Sequence, residues 1–508
     1  LDERYDGNGP TEFPDVRGIA GRFTAILALV TTFVAASLYP PHSNPQEGGA
    51  RTERTVTAYL PFDLPSGPTR RKVFAHYVPN FPISIDNMDG DNDYYQRQYL
   101  SPEGEGGIHA SYGGLLRDRP LPRKHIDQPD WQIADFTTEI GQARSVGIDG
   151  FAIDVIKPRA QSDIVDNLLT AAARDANFDI LITADVSGPL FDVSAEEFVA
   201  DFSAYLASPA AYRLANGTPV LSAFAAERRP PEWWAAALGA LAANLHTQIA
   251  FVPVFVKVSG NIAAYDSISY GFSAWGGRSP RGMTLSDRTP GSPGDLIRQA
   301  HLRGKIWMQA IPFQDSRPRS GTFEESLNGM TNRMAWQLAN GYGAEWVQLI
   351  TWNDYAESTA MAPSVAHGWR MLDLNAYDIA TFKRGKPPRI VRDALYVSYR
   401  IQPVAAPPAF PETLLMRQNP DTTEPRDAIE VVSFATAPSR IDIVAGDQMT
   451  SCTAAVGRGI CVAPLRPGSF TVTMTRDGAV VASTQSDVPV LSHPFIQDLQ
   501  YRLVGGLR

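Results

Sequence analysis

The sequence predicts an α/β chain: a (β/α)8, TIM-type barrel followed by a C-terminal all-β sandwich domain. Three observations carry this. Short Val/Ile/Phe/Tyr-rich runs alternate with helical patterns from Lys72 to Thr351. The helical stretches carry their own start and stop signals. After Pro387 the texture changes to alternating apolar and polar residues, with turn signals and no clear helix.

The expected strands are Lys72–Tyr77, Ile148–Val155, Phe178–Ala184, Pro219–Ala223, Ala250–Val256, Ser267–Phe272, Lys305–Ile311 and Trp346–Thr351. Such runs suit parallel strands buried on both faces. Between them, Asp130 is expected to cap a helix whose Ile133, Phe136, Ile140 and Ala143 recur at helical spacing until Gly147. Ser194 with Glu197 reads as a capping box, and Thr322 with Glu325 repeats it before Leu327, Met330 and Met334, up to Gly341. Pro231 opens a further helix. A doubly wound open sheet would announce a Gly-rich phosphate turn after its first strand, and none occurs. The loop Phe81–Gln128 should cover the C-terminal mouth. In the last part, AIEVVSFA, RIDIVAG and SFTVTMTRDGAVVAST read as sandwich strands, with Asp477–Gly478 as a hairpin turn. The expected organisation is an N-terminal segment 1–40, a linker 41–68, a catalytic barrel 69–386 and a β-sandwich 387–508.

The 508 residues are 44% hydrophobic and 19% charged, as in a folded globular protein. A net charge of -9 and no long Lys/Arg run exclude a broad nucleic-acid-binding surface. Phe23–Leu38 is apolar and uncharged, with Arg17 and Arg22 just before it. It matches a secretory h-region, and a start at Val16 would give a compact signal. The rival is an uncleaved anchor, a membrane tether through residues 23–38. Either way the chain is expected to be secreted or extracytoplasmic, and a monomer. Cys452 and Cys461 are the two cysteines, expected to form a small hairpin disulfide in an oxidising compartment. No His or further Cys stands beside them at metal-ligand spacing.

The densest chemical cluster is TWNDYAES, residues 351–358, leaving the eighth strand. Asp354 and Glu357 are its acids, with Trp352, Asn353 and Tyr355 as stacking or polar neighbours. Glycosidic cleavage needs one protonated carboxyl and one carboxylate, and acids at this spacing can converge in a turn. The competing reading has Asp354 capping the next helix and Glu357 merely solvated. Asp154 and Asp185 end neighbouring strands and could bind sugar hydroxyls; a salt bridge or a loop cap is the alternative. His76 and Tyr77 end the first strand, and Trp275 could stack on a sugar ring, against packing as the default. Asp89-Gly-Asp91-Asn-Asp93 lacks the central Gly and terminal Glu of an EF-hand loop. No GxSxG or HExxH motif is present.

KVFAHYVPNFP (72–82), SVGIDGFAIDV (145–155) and above all LITWNDYAES (349–358) resemble glycoside hydrolase family 71, the α-1,3-glucanases or mutanases, over about Arg71 to Phe382. The resemblance implies a catalytic barrel with a C-terminal β-rich domain and endo-hydrolysis of α-1,3-glucan with inversion. The family's catalytic Asp and Glu fall on Asp354 and Glu357. It implies a polysaccharide partner and no cofactor. Ala356, where fungal members are expected to carry Gly, and the long loop after the first strand look like a bacterial branch. Hydrolysis of another wall polysaccharide, or non-catalytic sugar binding by a wall protein, are the alternatives.

Overall fold

The computed structural model describes residues 57–508 apart from Ser66 and Pro68, together with the short strand Arg54–Thr55. The expected signal Phe23–Leu38 lies outside the described residues.

Eight parallel strands close into a barrel: β1 (Lys72–Tyr77), β2 (Gly150–Val155), β3 (Asp179–Asp185), β4 (Val220–Phe224), β5 (Ala250–Phe255), β6 (Gly271–Ala274), β7 (Ile306–Pro312) and β8 (Trp346–Ile350). β8 returns to β1 through the ladder from Trp346↔Lys72 to Leu349↔Ala75. One expected strand is displaced. β6 starts later than Ser267, because the polar Asp266–Ser267 pair opens a 3-10 turn, Asp266–Ile268.

Alternation sorts each strand's side chains into two sets. Phe74, Ala152, Leu181, Val220, Val252 and Met308 pack inside the barrel. Val73, Ala75, Phe151, Ile153, Ile180 and Ile182 pack outward into the helical layer. Toward the C-terminal end the inward series turns polar: His76 follows Phe74, and Asp154 follows Ala152. The polar floor of the mouth is thus written into the strand period.

The outer layer is α1 (Trp131–Arg144), α2 (Ile164–Ala172), α3 (Ala195–Ala207), α4 (Pro231–Leu245), the single turn α5 (Asn261–Ala264), α6 (Pro293–Leu302), α7 (Met330–Gly341) and α8 (Arg370–Arg384). Ser194 Oγ accepts from Glu197 N at 3.1 Å, and α4 opens on Pro231 as expected. Two expected caps fail. Asp130 occupies the N-cap of α1 without a side-chain capping bond. Thr322–Glu324 is a strand, paired with Asp315–Arg317, and α7 begins only at Met330. Glu325 instead bonds Arg400 Nη2 at 2.8 Å and Tyr501 OH at 2.5 Å. A buried charge needs these tertiary partners more than a helix start needs a cap.

The loop Phe81–Gln128 packs over the C-terminal strand ends, with Leu121 N donating to Pro363 O and Val365 N to Arg119 O. Its Asp93 forms a buried ion pair with Arg119, and Asp89 accepts from His125 N at 2.7 Å.

The C-terminal part holds two antiparallel four-stranded sheets. Their strands are β9 (Ala394–Tyr399), β10 (Ala428–Ala435), β11 (Ser439–Ala445), β12 (Gln448–Ala454), β13 (Gly457–Pro464), β14 (Phe470–Arg476), β15 (Ala479–Gln485) and β16 (Arg502–Gly505). The sheets run β13-β10-β9-β16 and β12-β11-β14-β15. Asp477 (φ 49°) and Gly478 (φ 82°) make the tight turn between β14 and β15. Cys452 and Cys461 are bonded, but the bridge joins β12 of one sheet to β13 of the other rather than closing a hairpin. The chain changes sheets between them.

Sandwich and barrel belong to one compact unit, Thr52–Arg508. Val432, Phe434, Tyr396 and Leu503 join the barrel's outer core. Arg333 pairs with Glu430 at 2.7 Å, and Arg458 with Asp378 at 2.7 Å. The end of the expected linker is likewise not a free tether. Leu60 and Phe62 are fully buried, Phe62 lies 5.3 Å from the Tyr377 ring, and Asp63 pairs with Arg384 at 2.9 Å. The apolar residues Tyr59–Phe62 make this stretch a strap.

Replacing Cys452 and Cys461 together by Ser is expected to lower stability by roughly 2–3 kcal/mol, the loop-entropy value for so short a ring. Urea denaturation with and without reductant reads it; an unchanged midpoint would contradict it.

Candidate active site

The turn leaving β8 brings Asp354 and Glu357 together. Asp354 N donates to Thr351 Oγ1 at 2.8 Å, and Asp354 Oδ1 accepts from Ala356 N at 3.0 Å and Glu357 N at 3.1 Å. Asp354 therefore caps a turn, yet no helix follows until Arg370. The turn folds both acids onto one side of the mouth. Glu357 is not merely solvated: Arg317 Nη1 lies 2.8 Å from its Oε1, with 29% of the Glu357 side chain exposed.

Arg317 is itself gripped by Asp315, through Nε at 2.7 Å and Nη2 at 2.6 Å. Buried Arg278 stands 3.6 Å behind Asp315, its guanidinium 5.2 Å from the Trp275 ring. Depth in the mouth pushes Glu357 up to about 8; the Arg317 cation works against this, and Asp354 and Asp315 reinforce it. Asp354 is also raised, by burial, while its two amide donors and Arg317 pull it down. Two acids whose ionisation is opposed by depth and by each other can share proton donation and acceptance near neutral pH.

Across the mouth, His76, Asp154 and Asp185 sit at the ends of β1, β2 and β3. Gln348 Nε2 donates to His76 Nδ1 at 2.9 Å, so the ring's proton is on Nε2, which faces Asp154 Oδ2 at 3.7 Å. Trp275 packs edge-on to His76 at 4.8 Å and keeps part of its surface open. Asp185 Oδ1 accepts from Ser187 N at 2.7 Å and Ser187 Oγ at 2.5 Å. Burial first, then the Asp154 charge, raises Asp185 to about 7. The Asp154 Oδ1 atom is buried without a hydrogen-bond partner among the described residues, an acceptor available to a sugar hydroxyl.

Four residues expected to bind substrate are committed elsewhere. Tyr77 points outward, where its hydroxyl donates to Glu139 Oε2 at 2.8 Å. Trp352 is fully buried and donates from Nε1 to Glu139 Oε1 at 3.1 Å. Tyr77 lies on the face of β1 turned toward α1, opposite to His76, and Trp352, in the turn after β8, reaches the same Glu139. Asn353 ties the loop after β1 to the turn: its amide donates to Val78 O and Phe81 O at 2.9 Å each, and its oxygen accepts from Val78 N at 2.8 Å. Tyr355 packs under the mouth loop with Phe81, Tyr95 and Leu116. The structure adds Asp315, Arg317, Arg278 and Gln348, which sequence reading passed over. FQDSRPR, directly after β7, was the available signal, since strand ends point at the mouth.

A closed parallel barrel with an interacting Asp/Glu pair at its C-terminal mouth, near further acids and a tryptophan, is an arrangement suited to glycoside hydrolysis. The model of glycosyl hydrolase family 71 matches residues 126–499, and the chain belongs to that family. Its relatives include a mutanase of Penicillium rubens, 24% identical over 71% of this chain and 82% of the relative. A glucan endo-1,3-alpha-glucosidase of Schizosaccharomyces pombe is 23% identical over 70% of this chain and 86% of its own length. Among solved structures, the GH99 endo-alpha-mannosidase of Bacteroides thetaiotaomicron aligns with a TM-score of 0.47 at 16% identity, over 61% of this chain and 97% of that one.

Arg317→Met removes the cation that favours ionised Glu357. The alkaline limb of the pH–kcat/KM profile is expected to move to higher pH, and Arg317→Lys to restore most of it; a profile unmoved by Arg317→Met would contradict this pairing. Asn353→Ala leaves three backbone groups of the mouth loop unpaired and should destabilise the fold by about 2–4 kcal/mol, read by thermal unfolding.

Proposed function

We propose that this enzyme is an exported, endo-acting α-1,3-glucanase that inverts the anomeric centre, with Glu357 as general acid and Asp354 as general base. The observation that carries the reading is the turn after β8: it joins the two acids, with burial raising Asp354 and pushing Glu357 up to about 8. The relatives named above act on 1,3-linked α-glucan or bear the mutanase name, which supports the substrate.

In this mechanism Glu357, protonated near neutral pH, gives its proton to the departing glycosidic oxygen. Asp354, whose Oδ1 is fixed by two backbone amides, takes a proton from the water attacking the opposite face of the sugar. The C1–oxygen bond of the leaving chain breaks as the C1–water bond forms, and no covalent intermediate is made. Arg317 orients the Glu357 carboxyl and can stabilise it once its proton has gone. Trp275 offers a ring face, and Asp154, Asp185 and His76 offer hydrogen-bonding groups to sugar hydroxyls in the mouth. The disulfide in the sandwich fits folding in an oxidising compartment, which supports export.

Reducing-sugar release from insoluble α-1,3-glucan is expected from the wild type. Asp354→Asn and Glu357→Gln should each lower kcat by ~10²–10⁴-fold or more. Activity should fall as pH rises through about 8, because the acid must carry its proton, and the group pushed up to about 8 loses it there. Full activity in either variant would refute the residue assignment, and α-configured product at the first turnover would refute inversion.

A further inference from the structure

We propose that Phe410 and Phe495 form a stacking platform for the same pyranose chain as it runs out of the active-site mouth. The inference rests on the polysaccharide-hydrolase reading above and adds a second place where the polymer is held.

Phe495 is 62% exposed, and the segment that carries Phe410 also exposes Leu414 at 39% and Leu415 at 38%. The Phe410 ring lies 5.6 Å from that of Phe495. Scattered exposed apolar residues are ordinary; a group gathered from separate segments marks an interaction site. Backbone hydrogen bonds tie these loops together. Ala409 N donates to Pro494 O and Phe410 N to Phe495 O, each at 2.8 Å, which brings the two rings together at an interplanar angle of 60°. Thr413 N and Leu414 N both donate to Ser111 O, at 2.9 and 2.8 Å, pinning the segment to the mouth loop. Beneath them, Glu412 accepts from Gln497 N at 3.2 Å and faces buried Arg117 at 3.6 Å.

The platform is continuous with the catalytic mouth. Gly321, at the tip of the hairpin that follows β7, has φ 63°, and a Cβ there would fall 2.7 Å from Leu414 Cδ1. Arg417 N donates to Gly321 O at 2.9 Å, and Arg417–Gln418 adds a strand beside Thr322–Phe323. The same hairpin carries Arg317, which touches Glu357. The four steps of chain from Arg317 to Gly321 span at most ~14 Å. The hairpin and the mouth loop both leave C-terminal ends of barrel strands, so platform and acid pair lie on one side of the barrel.

The occupant that fits is a sugar chain. A pyranose presents a flat C–H face, which a phenyl ring covers without asking for a hydrogen bond, while its hydroxyls stay at the edges in water. Exposed Arg319 supplies a polar group at the rim.

The test uses the full chain with Phe410→Ala, Phe495→Ala, the double variant and Phe495→Trp. Co-sedimentation with insoluble α-1,3-glucan and initial rates on that polymer are compared with kcat/KM on a short soluble α-1,3-oligosaccharide. The double variant is expected to bind and cleave the polymer ~10-fold less well and to keep its oligosaccharide kcat/KM within about twofold; Phe495→Trp should retain polymer binding. Unchanged polymer binding, or equal losses on both substrates, would overturn the platform. So would a wild-type dimer, seen by light scattering, that Phe495→Ala dissolves, since a second copy would then be the occupant. Polymer binding without release by the wild type would overturn the glucanase reading and leave the platform to be judged on binding. Neither binding nor release would overturn both.

Discussion

The parallel ladder between β8 and β1 is the constraint on which the rest depends. It is formed by residues 274 positions apart at its first pair, Trp346 and Lys72, and it turns an open sheet into a barrel. Only after closure does the TWNDYAES turn face the end of β1. Gln348 on β8 then reaches His76, and Asn353 reaches the backbone that leaves β1. The mouth loop, anchored to β1 at one end, is thereby held against the turn that carries the two acids. Closure also buries the inward face of each strand, so the polar residues at the top of that face are forced to the mouth.

Charge is the second organising force. The mouth gathers Asp154 and Asp185 on one side and Asp315, Asp354 and Glu357 on the other, and within each group the carboxylates would repel one another if all were ionised. Two devices relieve this. Arg317 and Arg278 lie among Asp315 and Glu357, and burial keeps the Glu357 and Asp185 protons on to higher pH. The arrangement that makes the site tolerable as a structure is the one that gives it acids able to donate protons near neutral pH. Glu139, between α1 and the barrel, shows the same physics without access to the mouth: burial lifts it to about 8, and Tyr77 and Trp352 hydrogen-bond its two oxygens. A raised pKa alone therefore does not identify a catalytic group; access does.

The sandwich is part of the enzyme's architecture rather than an appended module. Its inner sheet shares the barrel's outer core, and the strap Tyr59–Phe62 is clamped where α8 meets that sheet. Its connecting segment, Ala409–Gln418, reaches back to the mouth loop and the β7 hairpin. Catalytic and C-terminal parts thus wall the same region of surface.

Local periodicity makes the barrel and the sandwich legible in the chain, and residue types single out the TWNDYAES cluster after the eighth strand while leaving open whether Asp354 caps a helix there. Strand alternation even separates His76 from Tyr77, one inward and one outward, although the two residues are adjacent in sequence. Tertiary structure alone decided which polar residues are free. Trp352, Asn353 and Tyr355 share the turn with Asp354, yet each is claimed by a neighbour from a distant segment: Glu139, the backbone after β1, and the mouth-loop aromatics. Arg317 and Asp315 gained their place beside Glu357 through a hairpin whose second strand the sequence disguises, since Thr322 and Glu325 spell a helix start. Likewise Cys452 and Cys461 are near in sequence but join two sheets. In each instance the outcome is set by contacts between segments far apart in the chain, where burial makes a polar group take whichever partner the fold brings within reach.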